Sequence, residues 1–377
     1  MLERVMMIAG EASGDVHASR VIKELKKRRP SVEVYGIGGD NMQREGMELF
    51  YHSSSLSFMG FVEVAKHLSL IREVENRLEK VLDERPPDVL VLVDYPGFNL
   101  RFARKARRHD IRILYYISPQ VWAWHKSRVK KMKSLVDRMK VVFPFEVELY
   151  KKEGINVEFV GHPLAESVRS TMTRSEFCDA LRLDAGKRIL GLFPGSRKQE
   201  IAKIFPTMIV AAAQLVQKHG VQVAVGVASN LGAGELKRFV PANSPVVLIE
   251  NMTHELMQHA DAAIVTSGTA TLETGWFGTP MVVVYKASPI SFFIGRIVVD
   301  IANIGLVNIV AGKTVVPEFL QNEMTVANLV AAIDRILTDD AYRHTMKVEL
   351  SQIRKNLGQT GASTRVAEGI IELAEAA

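Results

Sequence analysis

Short apolar runs alternate with stretches of helical periodicity along almost the whole chain. Residues 5–9 form the first run, and Ala18, Val21, Ile22 and Leu25 then recur at helical spacing. The pattern predicts further strands at 32–37, 88–94, 111–117, 139–143 and 157–160. A polar stretch at 167–175 interrupts the rhythm. A second series places strands at 189–193, 221–225, 246–249, 262–266 and 281–284, then helices at 326–337, at 340–356 and from about 360 onward. Runs such as Val89-Leu90-Val91-Leu92-Val93 have no polar face, so their sheet must be covered on both sides. Strands alternating with helices give parallel βα units. The fold class is therefore α/β, with two doubly wound, Rossmann-like domains facing across a cleft and ligands bound beyond the carboxyl ends of the strands.

Composition sharpens this picture. A length of 377 residues suits two domains, and 47% apolar with 24% charged residues is a globular profile. The single cysteine, Cys178, excludes an internal disulfide framework and suits a reducing cytosol. The first apolar run is too short for a signal-peptide core. The apolar segment 281–310 is broken by Lys286, Pro289, Arg296 and Asp300, whereas a membrane span needs ~20 predominantly apolar residues. No transmembrane helix is expected. Net charge is +6, but residues 101–140 hold thirteen Lys or Arg against only Asp110 and Asp137, a local balance of +11. Such a stretch suits a nucleic acid, an anionic membrane or a phosphorylated substrate, and equally a solvated helix face.

Several motifs fail on spacing. Gly36-Ile37-Gly38-Gly39 lacks the third glycine of a dinucleotide fingerprint and follows the second strand instead of the first. His254 and His259 lie five apart, which turns them off a common zinc-binding face. Gly195-Ser196-Arg197 lacks the glycine that a nucleophile elbow needs two residues before its serine, where Pro194 stands, and there is no Walker A loop.

What remains are turns at strand ends. Gly10-Glu11-Ala12-Ser13-Gly14-Asp15, Leu192-Phe193-Pro194-Gly195-Ser196-Arg197 and Ser267-Gly268-Thr269-Ala270-Thr271-Leu272-Glu273 each lead from a strand into a helix. Small residues let a ligand approach the backbone, and helix N–H groups favour anions. Each taken alone is also an ordinary βα turn, with Ser13 or Asp15 as a helix cap in the first. Arg197 could hold a diphosphate, and Glu273 a ribose. Asp94 ends the most apolar strand, where partial burial would make it a useful base; it could equally cap the following turn. His17, as a lone histidine, has a structural reading too.

These turns, with Asp94-Tyr95-Pro96-Gly97-Phe98-Asn99, Ser118-Pro119-Gln120-Val121-Trp122-Ala123-Trp124, Gly161-His162-Pro163 and Pro317-Glu318-Phe319-Leu320-Gln321, stand in the order seen in the lipid-A-disaccharide synthase family, which the whole chain resembles. The resemblance implies a GT-B fold. Residues 1–168 would bind the acceptor and 169–345 the UDP-sugar, with 346–377 packing back on the first domain. It implies an inverting reaction that joins UDP-2,3-diacylglucosamine to the 6-hydroxyl of 2,3-diacylglucosamine 1-phosphate, giving UDP and a β-1,6-linked disaccharide in lipid A biosynthesis. No cofactor and no metal is implied.

By the same resemblance Asp94 is the essential carboxylate. Ser13, Gly14, Gly195, Ser196, Arg197, Ser267, Gly268, Thr269 and Glu273 contact the UDP-sugar, with Asn308, Glu318 and Gln321 on the same wall. The helical stripe of Phe58, Phe61, Val62 and Leu68, flanked by cations, would touch acyl chains or the membrane interface, although such a stripe is also what a core helix presents. The expected setting is the cytoplasmic side of an anionic inner membrane, peripherally bound, with a homodimer among the expected partners and no nucleic acid. A UDP-N-acetylglucosamine epimerase or the lipid II transferase would share the fold, but the paired tryptophans and the Gly10–Asp15 turn argue against both. A non-catalytic nucleotide-sugar or lipid-binding protein would not need Asp94 and Arg197 together.

Overall fold

The computed structural model describes residues 2–56, 68–119, 126–228, 231–242, 244–286, 303–358 and 360–376. They form two compact units, Met1–Glu166 with Gly358–Ala377, and Ser167–Leu357.

The first unit is built on β1 (Arg4–Ala9), β2 (Glu33–Gly38), β3 (Glu48–His52), β4 (Val89–Val93), β5 (Arg112–Tyr116), β6 (Arg138–Val141) and β7 (Val157–Phe159). All pair in parallel, in the order β3-β2-β1-β4-β5-β6-β7. β1 and β4 are buried along almost their whole length, which is why their sequences show no alternation. Helices Leu68–Glu84 and Pro96–Arg108 cover the sheet through Val74, Leu78, Phe98 and Phe102.

The second unit repeats the plan with β8 (Ile189–Phe193), β9 (Gln222–Gly226), β10 (Val246–Ile249), β11 (Ala262–Thr266), β12 (Met281–Tyr285) and β13 (Glu318–Leu320). Its order is β10-β9-β8-β11-β12-β13, again parallel throughout. In each sheet the strand order reverses once, between β1 and β4 and between β8 and β11. The doubly wound class is present twice. β3 and β13 were not expected as strands: both are short edge strands with only partly buried residues, so neither makes an apolar run.

The expected return to the first domain at 346 comes later. Helix Asp340–Asn356 buries Met346, Leu350 and Ile353 within the second unit, where it packs on helices Thr269–Trp276 and Leu306–Ala311. Only helix Ala362–Glu375 belongs to the first unit, packed on helix Ala12–Arg28. Its N-terminus has no cap of its own. Instead the Glu166 carboxylate accepts hydrogen bonds from Gly361 N (3.0 Å), Ser363 N (3.0 Å) and Ser363 Oγ (2.6 Å), which satisfies donors the helix leaves open and complements its dipole. Beneath it lies Lys140, 2% exposed and paired with Glu158 at 2.6 Å. A Cβ on Gly369 would fall 2.4 Å from Lys140 Cε, so glycine lets the helix lie over this cation.

Candidate active site

The first unit's candidate chemistry sits where its strand order reverses, at the ends of β1 and β4. Val93 pairs with Ala9 on one side and Tyr116 on the other, so Gly10 and Asp94 leave the sheet side by side. Asp94 and Tyr95 both take left-handed backbone angles, φ 46° and 47°. For residues other than glycine this stores strain of about 1–3 kcal/mol each. The surroundings hold it in place. Asp94 N donates to Tyr116 O (3.0 Å), while its carbonyl accepts from Tyr115 OH (2.6 Å) and Asn99 Nδ2 (2.7 Å). Tyr95 OH donates to Leu56 O at 2.7 Å, and a Cβ on Gly10 would strike the Tyr95 ring at 2.2 Å. Gly10 is thus required by Tyr95.

This kink takes the Asp94 side chain off the end of the strand, yet leaves it largely shielded from water. Burial, and then the Glu11 carboxylate, push its pKa up to about 7, against a hydrogen bond from the Tyr95 backbone. A carboxyl poised near neutrality can accept a proton from a hydroxyl.

Elsewhere in the first turn, packing accounts for Gly14 and hydrogen bonding for Asp15. Gly14 is buried, and a Cβ there would come within 3.4 Å of Ala9 Cβ and 3.7 Å of Val93, so it packs the helix onto β1 and β4. Ser13 is exposed. Asp15 does not cap its own helix: it accepts from Gly39 N, Asn41 N, Asn41 Nδ2 and Met42 N at 2.7–3.1 Å, capping the helix Asp40–Arg44 from outside. His17 is driven down to about 4 by burial and then Arg20, and His162 to about 3 by burial and then His17. Both are neutral at pH 7.

In the second unit the corresponding reversal, between β8 and β11, opens a cavity of about 670 Å³. It brings together Gly195, Ser196, Arg197, Ser267, Gly268, Thr269 and Glu273, predicted from two separate turns. Gly195 (φ 97°) and Gly268 (φ 147°) have conformations that other residues rarely adopt. Helices Lys198–His219 and Thr269–Trp276 begin here without a side-chain cap, so their N-terminal dipoles face the cavity. That is a site for an anion. Among the described residues Arg197 pairs with Glu200 alone, at 2.8 Å, and it is more than half exposed, so it can turn towards a ligand.

Sequence reasoning missed several lining residues, among them Arg169, Asn251, Thr253 and His254. Asn251 turns the chain at φ 64° without glycine, which left no motif to read. His254 was considered only as a metal ligand. In the structure its Nε2 stands 4.0 Å from Glu273, whose carboxylate raises its pKa against the cost of burial. His259 points elsewhere, with Nε2 2.8 Å from Met172 O.

Asn308, Glu318 and Gln321 are not among the lining residues. Asn308 is fully buried and its amide is saturated: Nδ2 donates to Val316 O and Glu318 Oε1, and Oδ1 accepts from Val315 N and Val316 N. Glu318 also accepts from Ile304 N and Gly305 N. The pair clamps a turn whose Ile304 carbonyl receives the Ser267 hydroxyl at 3.0 Å. Both residues therefore reach the cavity only through Ser267. Gln321 takes φ 50°, and its Nε2 is buried without a partner among the described residues. Leu68 is 39% exposed, whereas Ile71 on the same helix is buried in the core. Phe58, Phe61, Val62, Trp122 and Trp124 lie outside the described residues.

The described helices include none long and apolar enough to cross a membrane. A co-structure of S. aureus MnaA with UDP superposes with a TM-score of 0.67 at 14% identity, covering 98% of this chain and 96% of that one. At this identity the likeness concerns the fold alone, which a UDP-GlcNAc 2-epimerase of Neisseria meningitidis (TM-score 0.66) and the calicheamicin glycosyltransferase CalG4 (0.62) also match. Sequence relatives decide between them. The lipid-A-disaccharide synthase of Geobacter sulfurreducens is 44% identical over 98% of this chain and 97% of its own length. That of Geobacter metallireducens is 43% identical over 98% and 97%. The family model for lipid-A-disaccharide synthetase matches residues 5–368, a span that takes in both strand-order reversals and every turn described above. The chain belongs to the lipid-A-disaccharide synthetase family, and it is a glycosyltransferase of the step that forms the lipid A disaccharide.

Proposed function

We propose that the enzyme transfers 2,3-diacylglucosamine from its UDP derivative to the 6-hydroxyl of 2,3-diacylglucosamine 1-phosphate, with inversion at the anomeric carbon. The observation that carries this reading is a carboxyl, Asp94, placed at the end of the central strand where the strand order reverses, with burial pushing its pKa up to about 7. Asp94 takes the proton of the acceptor hydroxyl as its oxygen attacks the donor's anomeric carbon. The bond from that carbon to the diphosphate breaks on the opposite face, and its electron pair leaves with UDP. A single displacement needs one base and no second carboxylate, and it inverts the centre.

The leaving diphosphate would lie over the two uncapped helix N-termini of the second unit, with Arg197 swung from Glu200 onto it. Glu273 is placed for a ribose hydroxyl. Ser13, which is exposed, and Gly14 keep their place as proposed contacts of the UDP-sugar. The acyl chains call for a peripheral position on the inner membrane, which the basic 101–140 stretch and exposed Leu68 support. A homodimer belongs to the same reading.

The test is incubation of the purified protein with both lipid substrates, followed by mass spectrometry and measurement of the anomeric proton coupling in the product. A β-linked disaccharide 1-phosphate and stoichiometric UDP are expected. An α-linked product, or release of UDP with free sugar only, would overturn the mechanism.

A further inference from the structure

Five of the thirteen cations at 101–140 are already neutralised inside the first unit. Arg101 pairs with Glu75, Lys105 with Glu79, Arg107 with Asp137, Arg138 with Glu372 and Lys140 with Glu158. Arg104 and Lys131 have no carboxylate partner among the described residues, and they come from two different helices, Pro96–Arg108 and Lys126–Lys133. Both line one cavity of about 240 Å³, beside Arg101 and above the apolar floor of Leu100 and Leu135. Two cations without an acid among the described residues, held over one hollow beside the Arg101–Glu75 pair, repel each other until an anion enters.

The cavity starts at Pro96 and Gly97, the residues that follow the Asp94–Tyr95 kink. Among the described residues, nothing comes within 4 Å of where a Gly97 side chain would stand. From Gly97 to Arg104 the helix rises ~10 Å, and helical side chains lean back towards the N-terminus, so the guanidinium comes closer to Asp94 than that. A hexose lying along this turn would have one end at the Asp94 carboxyl and the other at the cations.

We propose that this cavity holds the anomeric phosphate monoester of the acceptor sugar, with Arg104 and Lys131 as its ligands. The assignment rests on the substrates proposed above. The acceptor is thereby gripped at the end opposite its reacting hydroxyl, which fixes the 6-hydroxyl at Asp94 and discriminates against sugars without the phosphate.

The double variant Arg104→Ala/Lys131→Ala tests this in neutral detergent micelles, assayed with the phosphorylated acceptor and with the same lipid lacking phosphate. Both side chains are exposed, so the melting temperature should not change. KM for the phosphorylated acceptor should rise about 10- to 100-fold, as for loss of charged hydrogen bonds, while KM for the donor and turnover of the phosphate-free acceptor stay as in wild type. The charge-preserving variant Arg104→Lys/Lys131→Arg should recover most of the loss. Equal losses on both acceptors, or no loss on either, would overturn the assignment. So would normal kinetics in micelles with lost sedimentation on anionic phosphatidylglycerol vesicles, which would mark a lipid headgroup surface. Failure of the wild-type protein to make any disaccharide would instead remove the proposed substrates, and this assignment with them.

Discussion

Asp94 combines two penalties in one residue, a left-handed backbone and a carboxyl whose ionised form is poorly solvated. Its folded pKa of about 7 lies above the ordinary 3.8, so the folded state holds its proton more tightly than the unfolded state does. The stability this brings is complete below the unfolded value and is lost as pH rises through 7. Asp94→Asn should therefore melt higher than wild type at pH 8, with the gap closing towards pH 4, while kcat falls about 10²–10⁴-fold. Wild-type kcat/KM should in turn fall as pH drops through about 7. Calorimetric scans across pH beside a rate profile would check both, and a variant that melts lower at pH 8 would contradict the burial argument. The position of Asp94 was legible because a carboxylate at the end of an all-apolar strand is unusual. Its strain was not, since neither Asp94 nor Tyr95 is the glycine that normally announces a positive φ.

Strands were legible where burial leaves an unbroken apolar run, as in β1, β4, β8 and β11, and illegible where they sit at an edge, as in β3 and β13. The cavity in the second unit shows the same division. Its two glycine-containing turns could be read, but the turn through Asn251, Thr253 and His254 could not. Asn308 and Glu318 were placed in the site by their motif, and the geometry gives them an indirect part in it. Asn308→Ala would strip four hydrogen bonds from the turn that anchors Ser267, at a cost of about 2–4 kcal/mol. Urea unfolding should show that loss, and titration calorimetry a weaker affinity for UDP through the loosened Ser267. An unchanged unfolding midpoint would mean that the clamp contributes nothing.

At the scale of the whole molecule, the chain leaves the first unit at Glu166 and re-enters it at Gly358. Glu166 is also the residue that caps the returning helix. Glu166→Ala should weaken the helix end by about 1–3 kcal/mol. Hydrogen exchange should then quicken in Ala362–Glu375 and stay unchanged in Lys198–His219 of the second unit. Uniform quickening through both units would show that they unfold as one. The return has a further consequence during synthesis. The 166 residues that open the first unit leave the ribosome long before its last helix exists, because Ser167–Leu357 must be translated in between, about 10–40 s at ordinary elongation rates. For that interval the side of helix Ala12–Arg28 on which helix Ala362–Glu375 will pack has no cover. The nascent protein therefore carries a sticky surface that only its own final segment can close, and chaperone demand should be set by how fast the second unit is made.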